Sequence, residues 1–230
     1  MEIKKESCLN CSIKSSIVSI LNKDELEVLE KGCLQTEFQR GELIFKEGSP
    51  ASHIIYIREG FVKLSKRGLG AKDYILSISK KGAYLGINNL NKKTKQYSNS
   101  ATALTTTKVC FIDIEKFGIL LKKNGSFATE VIYYIFDDEM NYYDRLINNV
   151  QQQVPGRLAD TLLYFRYQVY GQNPFNLNIT KVELASLIGT SRESVTRLLK
   201  EFQETGIITL EKNILTILDE DKLLEIKQKG

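Results

Sequence analysis

A chain of 230 residues, 42% hydrophobic and 26% charged, has the size and composition of a soluble globular protein of one large or two small domains. Its net charge of +4 is too small to argue for any partner by bulk attraction. No run of about eighteen apolar residues occurs, which argues against a membrane-spanning helix, and Met-Glu-Ile-Lys-Lys-Glu-Ser-Cys8 lacks the apolar core of a signal peptide.

A cytoplasmic location is therefore expected. Structural disulfides are disfavoured there, so Cys8, Cys11, Cys33 and Cys110 are expected as thiols or metal ligands. Residues 1–15 are polar around Cys8-Leu-Asn-Cys11. Asn22 or Asp24 can start a short helix through Leu26, Val28 and Leu29 to Lys31, closed by Gly32.

From Cys33 the apolar period falls to two, punctuated by Gly41, Gly48, Gly60, Gly68, Gly70, Gly82 and Gly86. Short strands are predicted at residues 41–46, 53–58, 60–64, 74–78, 100–104 and 108–112. Many short strands at regular spacing predict an antiparallel roll or sandwich.

From Ile114 the pattern turns helical. A short helix over about 114–122 ends at Asn124-Gly125, and Ser126 is placed to cap a long helix reaching about Gln152. Phe127, Val131, Ile135, Tyr142, Leu146 and Val150 recur along it at helical spacing. Some twenty-five residues of helix span about 38 Å, too long for a lone amphipathic cover, so Val131, Ile135, Tyr142 and Leu146 are assigned to dimerisation. The alternative is that the same stripe only packs on the roll. Pro155-Gly156 breaks the pattern, and the next helix is predicted over Arg157–Tyr170.

Residues 178–205 read as two helices joined by a tight turn. Thr180 and Glu183 form a capping box, Leu184, Leu187 and Ile188 share a face, and Gly189 suits a left-handed turn. Thr190 and Glu193 repeat the capping box, and Val195, Leu198, Leu199 and Phe202 form the second stripe. Arg192, Glu193, Thr196, Arg197 and Lys200 are left outward. Arg can pair with guanine O6 and N7, Glu can accept from cytosine N4, and Thr190 and Ser191 could hold a phosphate at the helix N-terminus. The plainer alternative is a helical hairpin with solvated charges, in which Arg197 only pairs with Glu193. Residues 207–210 and 213–218 flank Glu211-Lys212 as a hairpin, and Glu220–Gly230 is expected to be a short helix that frays. Residues 153–230 carry ten basic and ten acidic side chains, so any DNA contact rests on placed groups rather than bulk charge.

The run Thr-Ser-Arg-Glu-Ser-Val-Thr-Arg-Leu-Leu-Lys, residues 190–200, resembles the recognition helix of the Crp/Fnr family of bacterial transcription regulators. Gln39–Gly48 and Ile54–Leu64 resemble the start of a cyclic-nucleotide-binding β-roll, and Val154–Leu163 resembles the family's hinge. The resemblance implies an α+β protein: an N-terminal segment and antiparallel β-roll of the double-stranded β-helix type (1–125), a long dimerisation helix (126–153) and a C-terminal winged helix-turn-helix (154–230). It implies that Arg192, Glu193 and Arg197 read bases. It also implies a homodimer on a palindromic operator with half-sites near TGTGA, and RNA polymerase as a partner.

The resemblance raises three effectors. The cAMP-binding pattern has a Gly-Glu-Leu turn and a phosphate-gripping Arg-Ser pair. Here the turn reads Gly82-Ala-Tyr-Leu-Gly86, the arginine position near Tyr97–Asn99 holds no cation, and Lys92, Lys93 and Lys95 replace a bidentate Arg poorly, so cAMP is not expected. The oxygen-sensing branch holds an iron–sulfur cluster. By similarity Cys8, Cys11 and Cys110 match three of its ligands, the third near cysteine falls at about Ile17, and Cys33 is the spare thiol for a fourth. Against this stand a redox or zinc role for Cys8/Cys11, and buried cysteines serving as small apolar residues. Haem would need His53, the only histidine, which reads as a solvated turn residue.

No enzyme is expected. A nucleophile elbow and a phosphate-cradling Gly-Lys-Ser/Thr loop are absent from the sequence. Two alternatives stay open: a thiol oxidoreductase using Cys8 and Cys11, and a small-molecule-binding module that never touches DNA.

Overall fold

The structure, a computed structural model, describes residues 7–11, 14–68, 73–90 and 95–230. The chain forms two compact units. One comprises residues 1–67 and 78–140, the other residues 68–77 and 141–230, so the division falls at Met140/Asn141, inside the long helix.

The first unit opens with a 3-10 turn at Cys8–Asn10 and a short helix α1 (Ser16–Ser19). Ser15 caps α1 and seats Ile17 and Val18 in the core. Helix α2 (Lys23–Glu30) starts at Asn22, which closes a capping box with Glu25. The roll follows as β1 (Cys33–Phe38), β2 (Leu43–Phe45), β3 (His53–Glu59), β4 (Phe61–Arg67), β5 (Asp73–Lys80), β6 (Tyr84–Leu85), β7 (Ser100–Ala103) and β8 (Thr107–Asp113). They make two antiparallel sheets, ordered β1-β8-β3-β6 and β2-β7-β4-β5. The expected strands are all present. Edge strand β1 and the two-residue β6 had escaped the reading because neither shows a full period-two run.

One core lies inside the roll, where Ile44, Phe45, Ile55, Ile57, Val62, Leu85, Tyr97 and Val109 pack together. A second lies on the other face of the β1-β8-β3 sheet. There Ile17, Leu29, Ile54, Ile112, Phe117 and Leu120 meet Phe127 and Val131, closed by α3 (Ile114–Lys123) and the start of α4 (Gly125–Gln151).

Helix α4 corrects two expectations. Its N-terminus is capped by Asn124, whose Oδ1 accepts from the Phe127 amide at 3.0 Å, not by Ser126. Val131, 2% exposed, belongs to the core and the half-buried Ile135 packs against it, so this pair faces the roll and Val131 is not free to meet a partner chain. Successive side chains turn by about 100°, and the 131/135 stripe faces the roll. Residues two further on therefore face away from it.

The second unit continues with α5 (Val154–Tyr164), which starts three residues earlier than predicted, with Pro155 in its first turn. It passes into a π-helical turn at Phe165–Tyr170, closed by Gly171 in the left-handed conformation. Then come β9 (Phe175–Asn176), α6 (Lys181–Ile188), α7 (Arg192–Glu204), β10 (Ile208–Glu211), β11 (Ile214–Ile217) and α8 (Glu220–Lys229). The hairpin forms as predicted, with β9 added to give the order β10-β11-β9. Helix α8 is anchored at its start: Asp219 accepts from the Lys222 amide, Leu223 is fully buried and Glu220 pairs with Arg166. Among the described residues no helix is long and apolar enough to cross a membrane.

Candidate nucleic-acid interface

The helix-turn-helix is built from local chemistry. Thr180 Oγ1 accepts from the Glu183 amide at 3.2 Å, and the Glu183 carboxylate accepts from the Thr180 amide at 2.8 Å. Helix α6 ends at Gly189 with φ 65°, where a side chain would be strained. The Thr190 amide returns to Ala185 O at 2.9 Å and closes the turn. Helix α7 is capped by Ser191, whose Oγ accepts from the Ser194 amide at 3.1 Å, rather than by Thr190 with Glu193. The helix starts one residue later than the sequence suggested. Glu193 is thereby released from capping and lies in the first turn, exposed.

Val195, Leu198, Leu199 and Phe202 are buried and fix the rotation of α7. Ser191, Arg192, Glu193, Thr196, Arg197 and Lys200 are exposed, and Thr190 is half-buried in the turn. Thr196 Oγ1 donates to Arg192 O at 2.8 Å. Arg197 pairs with Glu201 at 3.4 Å, not with Glu193, and Lys200 pairs with Glu204 at 3.4 Å. Both pairs are exposed i,i+4 contacts of about 0.3–0.5 kcal/mol, so a phosphate or base edge can displace either carboxylate at little cost. The surface thus offers Arg192, Glu193 and Arg197 over the first two turns of α7, with Lys200 a turn further along, a set of groups suited to base edges and phosphates. The wing turns at Lys212, the one non-glycine with positive φ among the described residues, at 55°. Its Glu211-Lys212-Asn213 turn was visible in the sequence, yet Lys212 was not singled out.

A second apolar row runs along the exposed face of α4. Tyr133, Phe136, Met140, Tyr143, Ile147 and Val150 follow one another at spacings of 3-4-3-4-3, and all are exposed, Phe136 at 55% and Val150 at 78%. Such 3-4 spacing is the pattern that coiled coils use. Tyr142 and Leu146 are exposed beside it.

The thiols lie on the second core. Cys33 and Cys110 are buried in it, Cys8 packs against it and Cys11 is half-buried. In the sheet Cys110 stands opposite both Gln35 and Tyr56, and Cys33 opposite Ile112. Burial, and then the nearby Cys11 and Cys110 thiols, push the Tyr56 hydroxyl above its ordinary pKa. Among the described residues no three His, Cys, Asp or Glu side chains are grouped so as to hold a metal ion, and Ile17 fills the place of the missing cysteine as a core residue. His53 is half-buried at the start of β3, with Nδ1 2.8 Å from Ser52 Oγ and its ring edge-on to Phe111, rather than a solvated turn residue.

In the roll, Gly86 turns with φ 73° against the Tyr97 ring, which stacks on Phe45 at 4.0 Å and donates to His53 O at 2.7 Å. Lys66 reaches Ser98 O at 2.6 Å and pairs with Glu47 at 3.2 Å. Lys92 and Lys93 lie outside the described residues, as do Ser12 and Ile13 of the Cys-x-x-Cys-Ser-Ile run.

An antiparallel β-roll, a long helix and a winged helix-turn-helix define a DNA-binding transcription regulator. Residues 35–124 match the model of the cyclic nucleotide-binding domain, and residues 156–226 that of the Crp-like helix-turn-helix domain. The chain belongs to the Crp/Fnr family of transcription regulators. It is 25% identical over 225 residues to the anaerobic regulatory protein of Haemophilus influenzae, covering 95% of this chain and 87% of the relative. It is 25% identical over 214 residues to a CRP-like cAMP-activated global transcriptional regulator of Mycobacterium tuberculosis, covering 91% and 95%. Among solved structures it is similar in fold to FixK2 from Bradyrhizobium japonicum, with TM-score 0.77, 15% identity, and 84% and 96% of the two chains covered. It also resembles a CRP/FNR-family regulator from Thermus thermophilus, with TM-score 0.65, 21% identity, and 85% and 98% covered.

Proposed function

We propose that this regulator works as a homodimer that places two α7 helices in successive major grooves of a palindromic operator, about 34 Å apart. Arg192, Glu193 and Arg197 read bases, while Thr190, Ser191, Thr196 and Lys200 hold the backbone. The observation that carries the reading is α7 itself, whose exposed Arg192, Glu193 and Arg197 are held in fixed rotation by a buried stripe. The dimer uses the seam from Tyr133 to Val150, with Tyr142 and Leu146 at its flank. RNA polymerase is the partner beyond DNA, and the output is transcription rather than catalysis.

The input belongs to the roll. We assign it to the thiol-bearing face rather than to cAMP. Cys8, Cys33 and Cys110 meet at one core with Cys11 close to Tyr56 of the same core, whereas Tyr97, near the position expected for a phosphate-gripping cation, is engaged inside the roll. Binding to a palindrome with TGTGA half-sites, measured against a scrambled duplex with and without thiol reductant, tests both parts. Equal affinity for the two duplexes rejects the operator. Identical operator affinity in both redox states rejects the thiol input. Iron and sulfide analysis of protein prepared without oxygen decides whether the same thiols carry a cluster: stoichiometric iron and sulfide would make the input a cluster, and metal-free protein leaves it to the thiols themselves.

A further inference from the structure

The junction between α4 and α5 is tied by side chains that a dimer-and-hinge description does not use. Asp160 of α5 is the node. Its Oδ2 accepts from Asn148 Nδ2 of α4 at 2.9 Å, and its Oδ1 meets Lys227 Nζ of α8 at 2.7 Å. The carboxylate is well shielded, with only 16% of the side chain exposed. A second tie runs from α4 directly to α8, where Gln152 Nε2 donates to Lys227 O at 3.1 Å. Arg145 of α4 also lies over the Tyr164 ring of α5, 4.9 Å from its centre.

The backbones close the arrangement. A Cβ on Gly156, in the first turn of α5, would stand 2.9 Å from Gly230 Cα, and one on Gly230 would stand 2.6 Å from Gly156 N. Only two glycines permit that approach. Leu223 seats α8 from the apolar side.

We propose that Asp160 and Lys227 are positioning residues, and that α8 is a clamp fixing the angle at which α5, and the helix-turn-helix built on it, leaves the dimer helix. The recognition surface reads bases, while the clamp sets the distance and phase between the two half-sites. This rests on the dimeric reading above, so its test needs an arm that works without DNA.

Asp160→Asn keeps the shape and the Asn148 bond but loses the ion pair. Lys227→Met keeps the apolar stem and loses the charge. Gly156→Ala displaces the end of α8 without touching a charge. In the free protein, amide hydrogen exchange at residues 152–157 is expected to accelerate about tenfold in each variant. On DNA, affinity for the palindrome is expected to fall about tenfold, while affinity for a duplex with one half-site stays within about twofold. Unchanged exchange overturns the clamp. An unchanged palindrome affinity, or an equal loss on both duplexes, overturns its role in spacing. If the native protein binds neither duplex the operator reading fails, and exchange still decides whether α8 holds the junction.

Discussion

Arg192 and Arg197, both exposed on α7, are the residues proposed to carry specificity, and their surroundings make the proposal measurable. Neither is buried, and the partner of Arg197 is a solvated Glu201. Arg192→Ala or Arg197→Ala should each weaken operator binding by about 1–3 kcal/mol and relax preference at one base pair. A binding-site selection on each variant checks this, and uniform weakening over all sequences would reassign that arginine to phosphate. Thr180 is legible as a cap from its sequence alone, and Thr180→Ala should lower stability by about 1 kcal/mol in denaturant unfolding. Glu47 gives a pH signature. Its carboxylate accepts from the Arg67 amide and pairs with Lys66, which holds its pKa below the usual carboxylate value. A depressed folded pKa stabilises fully above the unfolded value of about 4.3, and that stabilisation is lost as pH falls through the folded one. Glu47→Gln should therefore show a shallower drop in melting temperature below about pH 4 than the native protein.

At the scale of the element, the dimer proposed above rests on one face of α4. Phe136→Asp or Ile147→Asp puts a charge into the exposed seam and should yield folded monomers in sedimentation, with unchanged helicity. Val131→Asp puts the same charge into the core and should instead lower the melting temperature or abolish folding. A reversal, with Val131→Asp monomeric but stable, would restore the dimer face first read from the sequence. The two faces are hard to separate in the sequence because both are apolar. Val131 and Ile135 repeat at four just as Phe136 and Met140 do, and only the roll packed on one side distinguishes them. Helix α7 shows the opposite case. Its buried stripe and exposed charges were legible from spacing, and only the cap shifted, because Thr190 closes the turn and leaves Ser191 to take the cap.

For the whole molecule, the balance of ten basic against ten acidic residues in the C-terminal part predicts modest salt dependence, set by placed contacts rather than net charge. The slope of log affinity against log salt should fall in magnitude by about 0.9 when Lys200 becomes Ala, with operator preference kept. Lys212→Ala should behave likewise if the wing touches backbone, and an unchanged slope would remove the wing from the interface.

Sequence by itself determined whatever depends on neighbours along the chain. The capping pair at Thr180/Glu183, the left-handed Gly189, six of the roll's strands and the charged face of α7 all follow from side chains a few residues apart. Tertiary structure decided whatever depends on residues brought together from afar. It chose which stripe of α4 the roll covers and buried Ile17 in the core beneath it. It also docked α8 onto Gly156 and Asp160, which are some seventy residues away. The physical reason is that hydrogen-bond caps and backbone conformation act over one turn, whereas burial and charge pairing are set only once distant surfaces meet.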